Sequence, residues 1–257
     1  EMNAQRQRFI VGAENNGMAR AIAVSTFDQV NAFAGYGFNK SHAAAYALVA
    51  YQTAFLKAHF PIQFMAALMT LEQGNTEKIG AFKQELSRLN IDLFPPDINK
   101  SSSEFIVEPC KNDSSGNAIR YALSAIKNVG VGAVEEIVAE RTDRGNYQNL
   151  FDFSMRLGKV VLNKRQLANL AKAGAFDQMN SNRAQVVEAS DMLIRHGDWL
   201  AEEAEGGQTS LFQGGDVDQR QPDLPVVEEW APFVRLKEEA DALGFYLSSH
   251  PLDAYGS

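Results

Sequence analysis

Residues Ala125–Arg141, with the sequence AIKNVGVGAVEEIVAER, decide the fold predicted for the middle of this chain. The segment begins with a short helical turn, turns tightly at residues 129–132 and enters a second helix at Ala133. This order is the helix-hairpin-helix pattern. Glycine lets a backbone come close to a ligand, and the first amides of a helix have no intrahelical partner. Aided by the helix dipole, such amides suit a phosphate oxygen.

The turn of this pattern is a candidate contact with the phosphates of duplex DNA, which would hold DNA without reading its sequence. We expect the valines to be buried between the two helices and the lysine to add a positive charge. The predicted DNA-binding residues are Lys127, Asn128, Val129, Gly130, Val131 and Gly132. Because Gly-x-Gly alone is a weak motif, an ordinary turn between two helices remains the alternative.

A second, looser helix-hairpin-helix unit follows along the chain. It comprises a helix over Lys164–Lys172, a turn at Ala173–Phe176 and a helix from about Arg183. Lys164 and Arg165 are further predicted DNA contacts, although a solvent-exposed helix face would have the same composition. The two units together predict a tandem helix-hairpin-helix domain.

Charge is distributed unevenly along this chain, whose formal net charge is −8. Residues 201–257 contain 3 Lys and Arg against 12 Asp and Glu, whereas residues 118–183 contain 10 against 6. The helix-hairpin-helix region is therefore locally basic in an acidic protein. Such asymmetry indicates separate functions along the chain.

Helical periodicity fills most of the chain and predicts a mainly α fold. Helices are predicted over Ala4–Glu14, Met18–Ala34, Ser41–His59, Gln63–Glu72 and Thr76–Leu89. After Pro95-Pro96, the alternating sequences EFIVEP and AIRYAL flank a turn-rich segment and predict a β-hairpin. The predicted domains are helices at 1–95, a β-hairpin connector at 96–124, the tandem unit at 125–204, an acidic flexible linker at 205–229 and the approach to a further domain at 230–257.

The linker contains a short apolar sequence between glycine pairs, GGQTSLFQGG. Leu211 and Phe212 have no core to join in such a segment and favour the pocket of a partner, with Gln208 completing the motif. Docking of the same residues onto their own domain is the alternative.

Several classes of protein and site are excluded by the sequence. The longest apolar run, Ala43–Tyr51, is too short to cross a bilayer, and the polar first residues do not form a signal peptide. The single cysteine forms no intramolecular disulfide, and no Cys/His cluster has the spacing of a metal site. Glu135 and Glu136 point apart on a helix, and neither Ser41 nor Cys110 lies in a nucleophile context. We therefore expect a cytoplasmic chain without catalytic residues or a metal site of its own.

The stretch GYGFNKSHAAAYALVAYQT, Gly35–Thr53, places Lys40, Ser41 and His42 at the start of a helix. Ser41 is predicted to be the N-cap, so the three side chains gather at the positive end of the helix, where an anion would bind. The alanines that follow leave room for a nucleotide or another backbone. A solvated cap with a buried histidine and a packing seam is the alternative interpretation.

Four stretches, GYGFNKSHAAAYALVAYQTAFLKAHFP, FPPDINKSS, SAIKNVGVGAVEEIVAER and QTSLF, closely resemble in this order the alpha subunits of bacterial DNA polymerase III, the C family of replicative polymerases. The resemblance covers essentially the whole chain. It implies that residues 1–95 are the end of a fingers domain, that the tandem unit binds primer-template duplex, and that QTSLF binds the sliding clamp (beta subunit). The anion met by Lys40, Ser41 and His42 would then be a nucleotide or template phosphate.

The resemblance also implies what this chain lacks. The catalytic aspartates of the family belong to a palm domain upstream of Glu1, so the segment alone is expected to be inactive. Template-directed DNA synthesis, Mg²⁺ and dNTP are expected of the full-length enzyme, with other subunits of the polymerase III holoenzyme as partners. Two alternatives stay open: a noncatalytic adapter for DNA and a clamp, and a helix-hairpin-helix DNA repair enzyme that uses Asp143 or Asp152.

Overall fold

The computed structural model describes residues 2–34, 40–110, 116–161, 163–205 and 221–255. The chain divides into two compact units, Glu1–His59 and Phe60–Ser257. Helices dominate both units, and within the described residues a small sheet lies in the second. The predicted mainly α fold is confirmed. Among the described helices, none combines the length and the apolar character that a bilayer span requires.

The described part of the first unit contains three helices, α1 Met2–Asn15, α2 Arg20–Ala34 and α3 Lys40–His59. Their bounds lie close to the predicted ones. α1 and α2 pack through the rings of Phe9 and Phe27, whose centroids lie 5.5 Å apart. α3 has no buried residue, and its aromatic and aliphatic side chains are largely exposed.

The second unit starts with α4 Pro61–Leu71 and α5 Thr76–Arg88. Pro61 stands in the first turn of α4, where its missing N–H costs no hydrogen bond. Asn75 caps α5 by accepting a hydrogen bond from the Lys78 backbone N–H at 3.2 Å. The short interval between these two helices thus ends in the N-cap of α5.

A three-stranded sheet follows, formed by β1 Leu93–Phe94, β2 Ile106–Pro109 and β3 Asn117–Arg120 in the order β1-β3-β2. β2 and β3 pair in antiparallel fashion, which confirms the predicted β-hairpin. β1 pairs in parallel with β3. The sequence does not predict β1, because so short a strand shows no alternating pattern.

The remaining helices are α6 Val131–Arg144, α7 Leu150–Val161, α8 Lys164–Lys172, α9 Arg183–Glu205 and α10 Pro232–Leu243. Short 3-10 turns lie at Leu123–Ala125 and Pro251–Tyr255. α7 is broken at Gly158, whose φ of 57° is not helical. α10 begins at Pro232, near the start of the segment predicted at 230–257.

A hydrophobic core runs through the second unit. It joins Met65 of α4 to Tyr121 beside the sheet and to Phe176 in the helix-hairpin-helix region, all of them 1% exposed. α4 packs on β2 and β3, so the helices that follow residue 60 belong with the sheet. The division between the two compact units therefore lies at Phe60.

Gly244, the C-cap of α10, offers a test of how the end of this helix packs. Its φ is +91°, and a methyl group there would overlap the side chain of Thr76 at the start of α5. We expect Gly244→Ala to lower the free energy of unfolding by about 2 to 3 kcal/mol, measured by urea denaturation. Gly74→Ala is the control, because a methyl group at that position meets no atom within 4 Å. Equal losses in both variants would contradict the packing assigned to α10.

Candidate nucleic-acid interface

The first hairpin presents three backbone amides at the start of α6. Gly130 is the N-cap, and the Val134 N–H donates to the Gly130 carbonyl at 3.2 Å. The N–H groups of Val131, Gly132 and Ala133 donate to no acceptor among the described residues, and no side chain there caps this helix. The positive end of the α6 dipole is therefore available to an anion.

Neither glycine of this hairpin is required by backbone conformation or by packing. Gly130 has φ −76° and ψ 148°, an extended conformation that any residue adopts. Gly132 has no positive φ, and a methyl group at either position would find no atom within 4 Å. Glycine inside a helix costs about 0.5 to 1 kcal/mol relative to alanine. Gly132, which lies inside α6, thus keeps the amides uncovered without a structural reason of its own, whereas Gly130 stands at the N-cap, a position that favours glycine over alanine.

The left-handed position of the hairpin belongs to Asn128. Its φ is 64°, and the residue is exposed. Asparagine tolerates this conformation better than most residues because its short polar side chain can bond locally. The glycines were expected to form the turn, and the left-handed position of Asn128 was not predicted. An asparagine just before Val129 and Gly130 is nevertheless a recognisable turn signal.

The two valines of the hairpin lie in different environments. Val129 is 5% exposed and joins the core, whereas Val131 is 47% exposed. The prediction that both valines are buried was wrong for Val131, because it is the first residue of α6 and lies outside the buried face of that helix. Val134 and Ile137 form that face instead.

Lys127 lies against the end of α10. Its backbone N–H donates to the Ala242 carbonyl at 2.9 Å, and its ammonium donates to the Asp241 carbonyl at 3.1 Å. A cation beside the last carbonyls of a helix is stabilising. The ammonium therefore neutralises the negative end of α10, which differs from the phosphate contact that the sequence suggested.

α8 contacts the hairpin through Asn169. The Asn169 side-chain amide donates to the Lys127 carbonyl at 2.6 Å. Arg165 lies one helical turn earlier on the same face of α8, and this exposed side chain has no hydrogen bond or ion pair among the described residues. Lys164 instead forms an ion pair with Asp191 of α9. Of the two cations predicted on α8, Arg165 is the one on the hairpin side.

The second hairpin has its turn inside the protein. Residues 173–176 are all buried. Gly174 has φ +87°, and a methyl group there would collide with the guanidinium of Arg183, which is itself 4% exposed. The predicted second unit therefore has the helices of the pattern but an inaccessible turn, because the space over the turn is filled by Arg183.

Arg156 of α7 fixes the C-terminal end of α6. Its guanidinium donates to Glu140 Oε1 at 3.0 Å and to the Glu140 and Gly145 carbonyls at 2.8 and 3.0 Å. It also lies 4.4 Å from the ring centroid of Tyr147, whose hydroxyl donates to the Ile137 carbonyl at 2.8 Å. Burial raises the pKa of Tyr147 to about 12, so the hydroxyl remains a donor at neutral pH. No pattern in the sequence predicts this support of α6.

The other predicted anion site lies at the start of α3. Ser41 was predicted to be the N-cap of this helix. The helix begins at Lys40, so Ser41 lies within the first turn instead. Lys40, Ser41 and His42 are exposed, and the first turn contains no acidic residue. The His42 ring lies 4.3 Å from the ring of Tyr46. The positive side chain of Lys40 thus stands at the positive end of this helix, an arrangement that favours an anion.

The predicted clamp-binding residues, Gln208, Leu211 and Phe212, lie outside the described residues. The chain is described again from residue 221, and the segment that follows is bound to the start of α9. There the Asn182 side-chain amide donates to the Val227 carbonyl at 2.9 Å.

The described residues contain no group of three His, Cys, Asp or Glu side chains that could hold a metal ion. Asp152, one of the carboxylates considered for a repair enzyme, lies 3.4 Å from Arg156 and accepts the Gln148 N–H at 2.9 Å. Cys110 is buried.

Comparisons with known proteins give one consistent result. Residues 90–186 match the model of a family described as helix-hairpin-helix motif. The chain is 44% identical over 98% of its length to DNA polymerase III subunit alpha of Caulobacter vibrioides, and 42% identical over 99% to that of Xylella fastidiosa. The Deinococcus radiodurans protein of the same name is 39% identical over 99% of the chain. The chain spans 21%, 21% and 19% of these relatives, about a fifth of their length.

Proposed function

We propose that this chain, whose homologues are DNA polymerase III alpha subunits, is the segment of a replicative polymerase that grips duplex DNA behind the site of synthesis. The parent protein would carry out template-directed DNA synthesis in the cytoplasm, together with the other subunits of a polymerase III holoenzyme. The segment itself would contribute binding and positioning.

One observation carries the proposal: the first hairpin leaves its amides uncovered at a cost in stability. Gly132 satisfies no conformational or packing need inside α6, and the amides at the start of this helix have no acceptor among the described residues. A phosphate oxygen supplies the missing acceptor. Because these contacts reach only the DNA backbone, binding is expected to depend little on base sequence.

The cation that accompanies these amides is Arg165 in our proposal. It is exposed, it lies on the face of α8 that contacts the hairpin through Asn169, and it has no carboxylate partner among the described residues. Lys127 contributes differently. By capping α10 it keeps the negative helix end from repelling an approaching phosphate.

We propose that the start of α3 binds a phosphate of the incoming nucleotide or of the template through Lys40, Ser41 and His42. Exposure of all three residues and the lack of an acid in the first turn support this assignment. Mg²⁺ would be held by carboxylates elsewhere in the longer protein, because the described residues do not offer a ligand cluster for it.

Gln208, Leu211 and Phe212 are proposed to bind a ring-shaped sliding clamp. Apolar side chains in an acidic, glycine-rich segment gain from a partner pocket, and a weak peptide suffices once the same molecule already holds DNA. Asp152, one of the two carboxylates considered for the repair-enzyme alternative, forms an ion pair with Arg156.

Gly132→Ala tests whether glycine is kept for the ligand. Because alanine is the better helix former and its methyl group meets no atom within 4 Å, the free energy of unfolding should rise by about 0.5 to 1 kcal/mol. Affinity for a short blunt-ended duplex, measured by fluorescence anisotropy, should nevertheless fall. Gly12→Ala in α1 is the control, because its surroundings are equally open. Unchanged duplex affinity in a stabilised Gly132→Ala chain would contradict the hairpin as a DNA site.

Salt dependence separates the two cations of the hairpin. Removing a side chain that neutralises one phosphate lowers the slope of log affinity against log salt concentration by about 0.9. We expect this change for Arg165→Gln. Lys127→Met should leave the slope unaltered and lower the free energy of unfolding by about 0.5 to 1 kcal/mol, through loss of the α10 cap. A reduced slope for Lys127→Met alone would reverse the two assignments.

Replacing both Leu211 and Phe212 by alanine tests the clamp motif. Each buried side chain contributes roughly 1.5 to 3 kcal/mol, so affinity for a sliding clamp should fall by about 100-fold or more, whereas duplex affinity should not change. Surface plasmon resonance with immobilised clamp measures the first quantity. Val226→Ala is the control, an exposed apolar residue of the neighbouring segment. Loss of clamp and duplex binding together would mean that the motif supports the fold.

A further inference from the structure

The loop that leads into the first hairpin is a type II β-turn. The Val129 N–H donates to the Ile126 carbonyl at 3.1 Å, which closes the turn over these four residues. Asn128, the third residue, has φ 64°, whereas Lys127 before it is not among the residues with positive φ. A negative φ followed by a positive one defines type II.

This turn has an alternative form that the sequence also permits. Types I and II share the closing hydrogen bond and differ mainly by rotation of the central peptide, here the peptide between Lys127 and Asn128. Type I requires a negative φ at the third position, which asparagine adopts readily. An interaction that favours type II is therefore needed to fix the direction of this peptide.

Asn169 provides such an interaction. Its side-chain amide donates to the Lys127 carbonyl at 2.6 Å, a contact that requires this carbonyl to face α8. α8 is itself firmly placed, since Asn163 and Gln166 form a capping box at its start and Leu170 is buried. Rotation of the peptide to the type I form would break the bond and leave the Asn169 amide without this acceptor.

The direction of the peptide decides where the Asn128 N–H points. In a planar trans peptide the N–H lies opposite the carbonyl, and the described residues contain no cis peptide bond. With the Lys127 carbonyl facing α8, the Asn128 N–H faces away from α8. It donates to no acceptor among the described residues, as is also true of the amides of Val131, Gly132 and Ala133.

We propose that Asn169 is a positioning residue that holds the turn in its type II form, and that the Asn128 N–H is thereby presented as a further donor to a DNA phosphate. This inference rests on the proposed DNA-binding role of the hairpin. In this proposal α8 does more than carry Arg165. The Asn169 side chain does not contact the DNA itself, but it sets the direction of the Asn128 N–H, which does.

Asn169→Ala tests the proposal, because alanine removes the donor and keeps the helix. We expect duplex affinity to fall by about 3- to 10-fold while the slope against salt concentration stays the same, since no charge is lost. Adding Asn128→Gly should restore affinity, because glycine adopts a positive φ without cost. Asn146→Ala is the control, an exposed asparagine whose side chain has no hydrogen bond among the described residues.

Nuclear magnetic resonance measures the conformation of the turn directly. In the starting chain the Asn128 amide resonance should shift when duplex is added, and a strong nuclear Overhauser effect between the Lys127 Hα and the Asn128 HN should report the type II form. In Asn169→Ala this effect should weaken, because the type I form turns the Asn128 HN away from the Lys127 Hα. Retention of the type II form with unchanged affinity would overturn the proposal, as would a loss of affinity that Asn128→Gly does not restore.

Failure of the proposed function would look different. A starting chain that does not bind duplex removes the DNA-binding role, and with it the role of the Asn128 N–H. The nuclear Overhauser effect between the Lys127 Hα and the Asn128 HN in Asn169→Ala would still decide whether Asn169 holds the turn.

Discussion

The arrangement of the second unit depends on one buried cation, Arg183. Its guanidinium donates to both carboxylate oxygens of Asp177 at 2.9 and 2.8 Å, to Glu239 at 3.1 Å and to the Lys172 carbonyl at 2.9 Å. Burial opposes the charge, but the hydrogen bonds and charges of Asp177 and Glu239 outweigh it and raise the pKa of Arg183. Glu239 in turn accepts the Leu247 N–H at 2.9 Å. Because removal of one partner would strand a buried charge, α8, α9 and α10 are bound to each other as a group.

This constraint explains why the turns of two hairpins with similar sequence patterns differ in accessibility. Over the second turn, Arg183 fills the space that a ligand would need, and Gly174 is required there both by its positive φ and by the guanidinium beside it. At the first turn, a methyl group at Gly130 or Gly132 meets no atom of the described residues within 4 Å, and these glycines have no such requirement. The second hairpin therefore serves as a support, and it holds α8 and α10 where Asn169 and the Ala242 carbonyl reach the first turn.

Local signals predicted most elements of the fold, whereas contacts distant in sequence decided the details of the site. Periodicity and caps located α2 and α5 closely, and alternation located the β2–β3 hairpin. The bond between Lys127 and Asp241 joins residues 114 positions apart, so no spacing rule could separate a phosphate ligand from a helix cap. The exposure of Val131 depends on where α6 starts, and helix ends are the least certain feature of a periodic pattern. The unit boundary at Phe60 follows from packing of α4 on the sheet, which is likewise a tertiary effect.

The acidic groups of the chain are unevenly distributed, and several of them form ion pairs. A net charge of −8 would repel DNA if it were spread evenly over the surface. Several acids of the second unit are instead engaged: Asp177 binds Arg183 and Arg235, and Glu238 lies 2.7 Å from Lys172. Such pairs present little net charge to solvent, whereas Arg165 has no carboxylate partner among the described residues. Pairing leaves the net charge of −8 unchanged, but residues 201–257 contain 12 Asp and Glu against 3 Lys and Arg, whereas residues 118–183 contain 6 against 10. The proposed DNA contact therefore lies in the locally basic part of an acidic chain, beside the positive end of the α6 dipole.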